Sequence, residues 1–146
     1  PHAPMRPVTI NGGAVIRAWY DVSFGDLEGK SRRTDEQGIR ESREQINPLI
    51  EREGKRGVAA SRIVLAGFSQ GGAIALQTGL RHPEKLAGVM ALSAYLPLAD
   101  SLPQEAAAAN KETSIFMAHD VEKRGWAGAA KPSRDAHFQR CMTCSS

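Results

Sequence analysis

Residues 62–76, RIVLAGFSQGGAIAL, constrain what this chain can fold into more than any other stretch. The first half, RIVLAGF, is a short apolar run without polar alternation. That is the pattern of a strand buried on both faces of a parallel sheet. Ser69 then stands between Gly67 and Gly71 in a Gly-x-Ser-x-Gly arrangement, and residues 73–81 read as a helix ended by His82-Pro83. Strand, tight turn and helix in that order project a serine from the carboxyl end of the strand, where α/β sheets bind ligands. The positions two before and two after the serine must be small, and Gly67 and Gly71 meet that demand. The N–H of Gln70, at the helix start, is placed to stabilise a developing oxyanion. The alternative is a glycine-rich turn with an idle serine.

The rest of the chain fits around this unit. Residues 1–13 are rich in Pro and Gly and read as loop. AVIRAWY, residues 14–20, reads as a short strand, and residues 21–34 as a long polar loop. A helix begins near Asp35, with Ile39, Ile46, Leu49 and Ile50 at helical spacing and Ser42, Glu44 and Glu51 on the other face. Pro48 predicts a kink in it. LAGVMALS (86–93) and SIFMAH (114–119) supply two further strands, separated by a loop and one or two helical turns. The alternation predicts an α/β fold, a mostly parallel sheet of about four strands flanked by helices. The 146 residues suit one domain. Within it, 120–146 form a divergent C-terminal segment with one valine and no isoleucine or leucine. A short helix from Pro132 to about Cys141 is all it suggests.

Composition removes several function classes. The net charge is +3, and Arg32-Arg33 and Lys55-Arg56 sit beside acidic residues as solvated surface, which argues against a nucleic-acid partner. No run approaches the roughly 18 apolar residues of a membrane span. The chain opens PHAPMRPVTI, on a proline in place of a starting Met and without a basic leader or cleavage site, and reads as the interior of something longer. Cys141 and Cys144 form C-x-x-C without the strand-helix context of a redox motif or the two further ligands of a zinc site. No metal is expected, and the low cysteine count suits a cytoplasmic protein.

The blocks PHAPMRPVTINGG, RAWYD, DEQGIRES, RIVLAGFSQGGAIAL, HPEKLAGVMALSAYLP and SIFMAH, in this order, resemble the bacterial carboxylesterase and acyl-protein thioesterase family of the α/β-hydrolase fold. The resemblance runs from Pro1 to about His119. It implies a partial α/β-hydrolase that cleaves carboxylic esters, and in some members thioesters, through Ser-Asp-His and no cofactor. Ser69 is then the nucleophile and Gln70 the first oxyanion donor, while Trp19 lies near the substrate-binding cleft. The resemblance also implies departures. The family's strands ahead of PHAP, with the loop giving a second oxyanion N–H, are expected to be missing. So are its last strand and the histidine after it.

In this fold the triad runs serine, acid, histidine along the chain. His2 precedes Ser69, and His82 ends a helix on the far side of the sheet. His119 has only Asp100 as an acid, and it matches a strand-end histidine that the family does not use catalytically. His137 as base, with Asp120 as acid and Glu122 as second choice, is the best set, since both acids fall in the loop where the family keeps its own. The outcomes are a short-form serine esterase acting on small-molecule, short-chain esters, or a truncated relative serving as a binding module. In the second, an unpaired edge beside RIVLAGF invites a homodimer. A thiol or metal function at Cys141 and Cys144 is the third possibility.

Overall fold

A computed structural model describes residues 1–27 and 34–119. The chain opens with an antiparallel hairpin in which β1 (Met5–Val8) pairs with β2 (Ala14–Arg17), Val8 opposite Ala14. Gly12 and Gly13 close its loop at φ 65° and 81°, left-handed values that glycine adopts without strain. The loop predicted for residues 1–13 therefore holds a strand. MRPV carries a proline and no alternation, so its pairing with β2 decides its conformation. The strand predicted for 14–20 ends at Arg17, and 18–20 are irregular.

A single helical turn, α1 (Phe24–Leu27), interrupts the predicted loop. Asp35 then caps α2 (Glu36–Lys55), accepting the Gly38 N–H at 2.9 Å and the Asp21 N–H at 2.7 Å. The helix continues through Pro48, whose ring leaves the Glu44 carbonyl without its usual donor. Ile39 and Ile50 are buried as predicted, but so is Ser42, which the sequence places on the outer face. Position 42 is one turn from Ile39 and shares its inward side.

The sheet follows as β3 (Val64–Phe68), α3 (Gln70–Gly79), β4 (Gly88–Leu92), α4 (Leu102–Glu105) and β5 (Ser114–Ala118). The strands are parallel in the order β3-β4-β5, with Phe68, Leu92 and Ala118 in register at their carboxyl ends. Among the described residues the parallel sheet has three strands rather than about four, because residues 14–17 pair with β1 instead. Helix α3 starts at Gln70, three residues before the predicted start, directly on the turn after β3.

α3 is buried from Gly72 through Gly79. One side, with Leu76 and Leu80, packs on Val89, Ala91 and Ile115 of the sheet. The other, with Ala73 and Ile74, packs on Tyr20 and on Ile39 of α2. A helix covered on both sides carries no polar stripe, which is why AIALQTG lacks a clear amphipathic period.

A buried amide and a half-buried carboxylate tie the crossovers. Asn110, 2% exposed, donates to the carbonyls of His82 at 2.7 Å and Glu84 at 2.8 Å. It accepts from the Leu86 N–H at 2.9 Å and the Thr113 hydroxyl at 2.6 Å. Glu105 of α4 accepts from Arg81 at 2.6 Å, from Arg40 of α2 at 2.7 Å and from Ser101 at 3.0 Å. These bonds, Arg81's first, hold its carboxyl at about 2, below the ordinary 4.5. A depressed folded-state value means that the contribution is complete above the unfolded value and fades as pH falls toward about 2. Urea unfolding at several pH values should show stability declining from about pH 4.5 to 2, and Glu105→Gln should remove part of that slope. An unchanged slope in the variant would mean that the network carries no linkage.

Candidate active site

Ser69 occupies φ 53° and ψ −121°, a region that L-residues avoid. Its backbone is held on both sides: its N–H donates to the Leu92 carbonyl at 2.8 Å and its C=O accepts from Ala73 at 3.1 Å. The side chain is exposed and makes no capping bond to α3. Among the described residues its hydroxyl is uncommitted. The N–H of Gln70, in the first turn of α3, enters no backbone bond among them either.

The turn explains the glycines differently from the sequence reading. A Cβ on Gly67 would run into the carbonyl group of Gly71. On Gly72 it would stand 2.6 Å from the Ala94 methyl and 2.9 Å from the Gly67 carbonyl oxygen. On Gly71 it would meet only the Trp19 indole nitrogen, at 3.7 Å, an ordinary contact. The steric demand therefore falls on Gly67 and Gly72, not on Gly71 as the spacing rule predicts. The signal available in the sequence was the Gly71-Gly72 doublet.

Trp19 is half-buried beside Gly71. Trp19 helps line a groove of about 460 Å³ along the edge of β3 that has no partner strand among the described residues, with Ile46, Gly67, Phe68 and Ile74. Its backbone is held by side chains from two helices. The Trp19 N–H donates to Gln70 Oε1 at 2.9 Å, and Gln70 Nε2 donates to the Tyr20 carbonyl at 3.0 Å. The hydroxyl of Ser42 donates to the Trp19 carbonyl. Sequence reasoning used only the backbone of Gln70 and missed both side-chain roles. The place of Ser42 one turn from Ile39 was the signal for one of them.

Of the predicted site residues, the structure brings Ser69, Gln70 and Trp19 together. Asp120, Glu122 and His137 lie outside the described residues, as do Cys141 and Cys144. His119 is exposed just past β5, two strands from Ser69, which at sheet spacing is roughly 10 Å. Asp100 is exposed in the turn Ala99–Ser101, and no hydrogen bond joins it to His119. The pair His119–Asp100 is therefore not assembled. His82 is buried past the far end of α3, where desolvation lowers its pKa. Among the described residues no group of acids, histidines and cysteines could hold a metal ion.

Gly67→Ala and Gly72→Ala should each cost about 1–3 kcal/mol through overpacking of the turn. Gly71→Ala should stay within about 1 kcal/mol of the parent, since a helix interior favours Ala. Urea midpoints for the three variants decide it. Equal losses at all three would refute the assignment of the tight contact to Gly67 and Gly72.

Comparison with known proteins accounts for this geometry. The Phospholipase/Carboxylesterase family pattern matches residues 1–123. Acyl-protein thioesterase 1 of Aspergillus fumigatus is 44% identical over 128 residues, covering 84% of this chain and 53% of that protein. Acyl-protein thioesterase 1 of Schizosaccharomyces pombe is 42% identical over 123 residues, with 84% and 53% covered. The crystal structure of Arabidopsis thaliana SOBER1 superposes with a TM-score of 0.74 at 30% identity, covering 84% of this chain and 58% of that one. The chain thus spans about half the length of the curated relatives it matches. These relatives are fungal and plant proteins, so they support the family without the narrower bacterial branch. No helix among the described residues is long and apolar enough to cross a membrane. With the family pattern covering most of its length and a Gly-x-Ser-x-Gly turn at the end of a parallel strand, the chain belongs to the Phospholipase/Carboxylesterase family.

Proposed function

We propose that this chain carries the nucleophile of a serine hydrolase that cleaves small-molecule, short-chain carboxylic esters, and thioesters, through an acyl-enzyme on Ser69. One observation carries the reading: the Ser69 backbone is held at φ 53° and ψ −121° with its hydroxyl uncommitted among the described residues. A residue kept in so costly a conformation at a strand-to-helix turn points to function. The thioesterase names of the relatives extend it to thioesters.

In the proposed step the Ser69 Oγ attacks the ester carbonyl while its proton passes to His137, with Asp120, or failing that Glu122, orienting the base. The Gln70 N–H donates to the oxyanion, and Trp19 flanks the bound substrate. Collapse expels the alcohol or thiol, protonated by the histidine, and water then releases the acid. A general base contributes about 10²–10⁴-fold and one oxyanion donor about 10²–10³-fold, so Ser69 without partners would turn over activated esters only slowly. No cofactor enters the step. A cytoplasmic setting and the bacterial branch complete the reading. They rest on the two cysteines in 146 residues and on the sequence blocks respectively.

A fluorophosphonate probe, which needs an activated serine, should label the parent protein at Ser69 and should not label Ser69→Ala. In His137→Ala the labelling rate should fall by about 10²–10⁴-fold. A parent protein that resists the probe would leave the binding-module reading in its place.

A homodimer is the second part of the proposal. β3 has a hydrogen-bonded neighbour on one side only among the described residues, and Val64 and Phe68 on it are 55% and 68% exposed. An apolar open edge recruits another strand. Size-exclusion chromatography should give a concentration-dependent dimer that Val64→Lys reduces to monomer. A parent that elutes as monomer at every concentration would dismiss it.

A further inference from the structure

The carboxamide of Gln70 is spent on residues about fifty positions earlier in the chain. Residues 18–20 are neither helix nor strand, so their peptide groups need partners from elsewhere. Gln70 meets two of them, accepting the Trp19 N–H at 2.9 Å and donating to the Tyr20 carbonyl at 3.0 Å. The two bonds fix the orientation of the amide, since only its oxygen can face an N–H and only its nitrogen a carbonyl. The Ser42 hydroxyl donates to the Trp19 carbonyl, and Tyr20, 2% exposed, packs with Ile39 and Ile74. The segment is thus bolted to the first residue of α3, with the Trp19 indole nitrogen beside Gly71.

We propose that the Gln70 side chain is a positioning group, pinning the Trp19–Tyr20 backbone so that the indole stands over the serine turn and the first turn of α3 is held still. Its bearing on rate rests on the function proposed above for the Gln70 N–H, whereas its bearing on Trp19 does not. A glutamine that merely filled space would be replaceable by any residue of its size. A two-point hydrogen-bonding clamp is replaceable only by a group that accepts at one end and donates at the other. Protonated glutamic acid does both, through its C=O and its O–H. Ionised, it has only acceptors and presents one of them to the Tyr20 carbonyl.

The test uses Trp126→Phe as parent, which leaves Trp19 as the sole tryptophan. Emission and acrylamide quenching are followed between about pH 4 and 8, with folding checked by circular dichroism. Asp35 accepts from the Asp21 N–H beside the segment and the Tyr95 hydroxyl meets that of Tyr20, so the parent's own profile corrects for these neighbours. Gln70→Glu should show parent-like emission at low pH and a red-shifted, more readily quenched indole at high pH. Its midpoint should lie above the ordinary glutamate range of about 4.3. Gln70→Leu should be red-shifted throughout. On an activated ester, Gln70→Leu should lower kcat by about ten-fold with KM within about two-fold of the parent. A Gln70→Glu spectrum that does not titrate overturns the clamp, even if Gln70→Leu fails to fold. A parent inert toward ester and fluorophosphonate sinks the hydrolase reading alone, and the fluorescence titration still decides the clamp.

Discussion

The first turn of α3 rests directly on the end of β3, with the Gly71 carbonyl against the Cα of Gly67 and Gly72 against Ala94. Most of the architecture follows from that contact. It lets the chain reverse from strand to helix within one residue, and Ser69 is the residue that absorbs the bend at φ 53°. Such a backbone costs about 1–3 kcal/mol. The cost is sustained by the bond from Ser69 to the Leu92 carbonyl, which ties the turn to the neighbouring strand, and by the burial of the helix that follows.

That helix is the centre of the described fold. Because α3 is covered by the sheet on one side and by α2 with the Trp19–Tyr20 segment on the other, the serine turn cannot relax without disturbing both clusters. The polar side chains work at the joints where backbone leaves regular structure. Asn110 stitches the crossover from α3 to β4, Glu105 links α2 to the end of α3, and Gln70 and Ser42 hold the irregular segment after the hairpin. Asn110, Gln70 and Ser42 serve backbone groups that no ladder reaches there, whereas Glu105 joins side chains to one another.

What could be read from the sequence was what depends on local pattern. The three runs VLAGF, GVMAL and SIFMA are short, apolar and continuous, and all three are strands of one parallel sheet. The α2 helix showed through Ile39, Ile46 and Ile50 despite Pro48. The serine between glycines showed as a turn. What could not be read depends on partners distant in sequence. MRPV has no strand signal of its own and is a strand because AVIR lies beside it. Ser42 looks like a surface residue until the Trp19 carbonyl arrives above it. Gly72, not Gly71, proved to be the crowded glycine because Ala94, twenty-two residues on, packs against it.

By itself the sequence determined the fold class and the place of Ser69 in a strand-to-helix turn, because strand runs, helix period and glycine spacing act over a few residues. Its blocks likewise sufficed to indicate the family. Tertiary structure alone decided which glycines bear the contact, where the hairpin ends, and that the Gln70 side chain grips Trp19 and Tyr20. Those outcomes depend on surfaces brought together across as many as 51 residues. There the closing distance between two backbones, and not the character of either segment, sets what will fit.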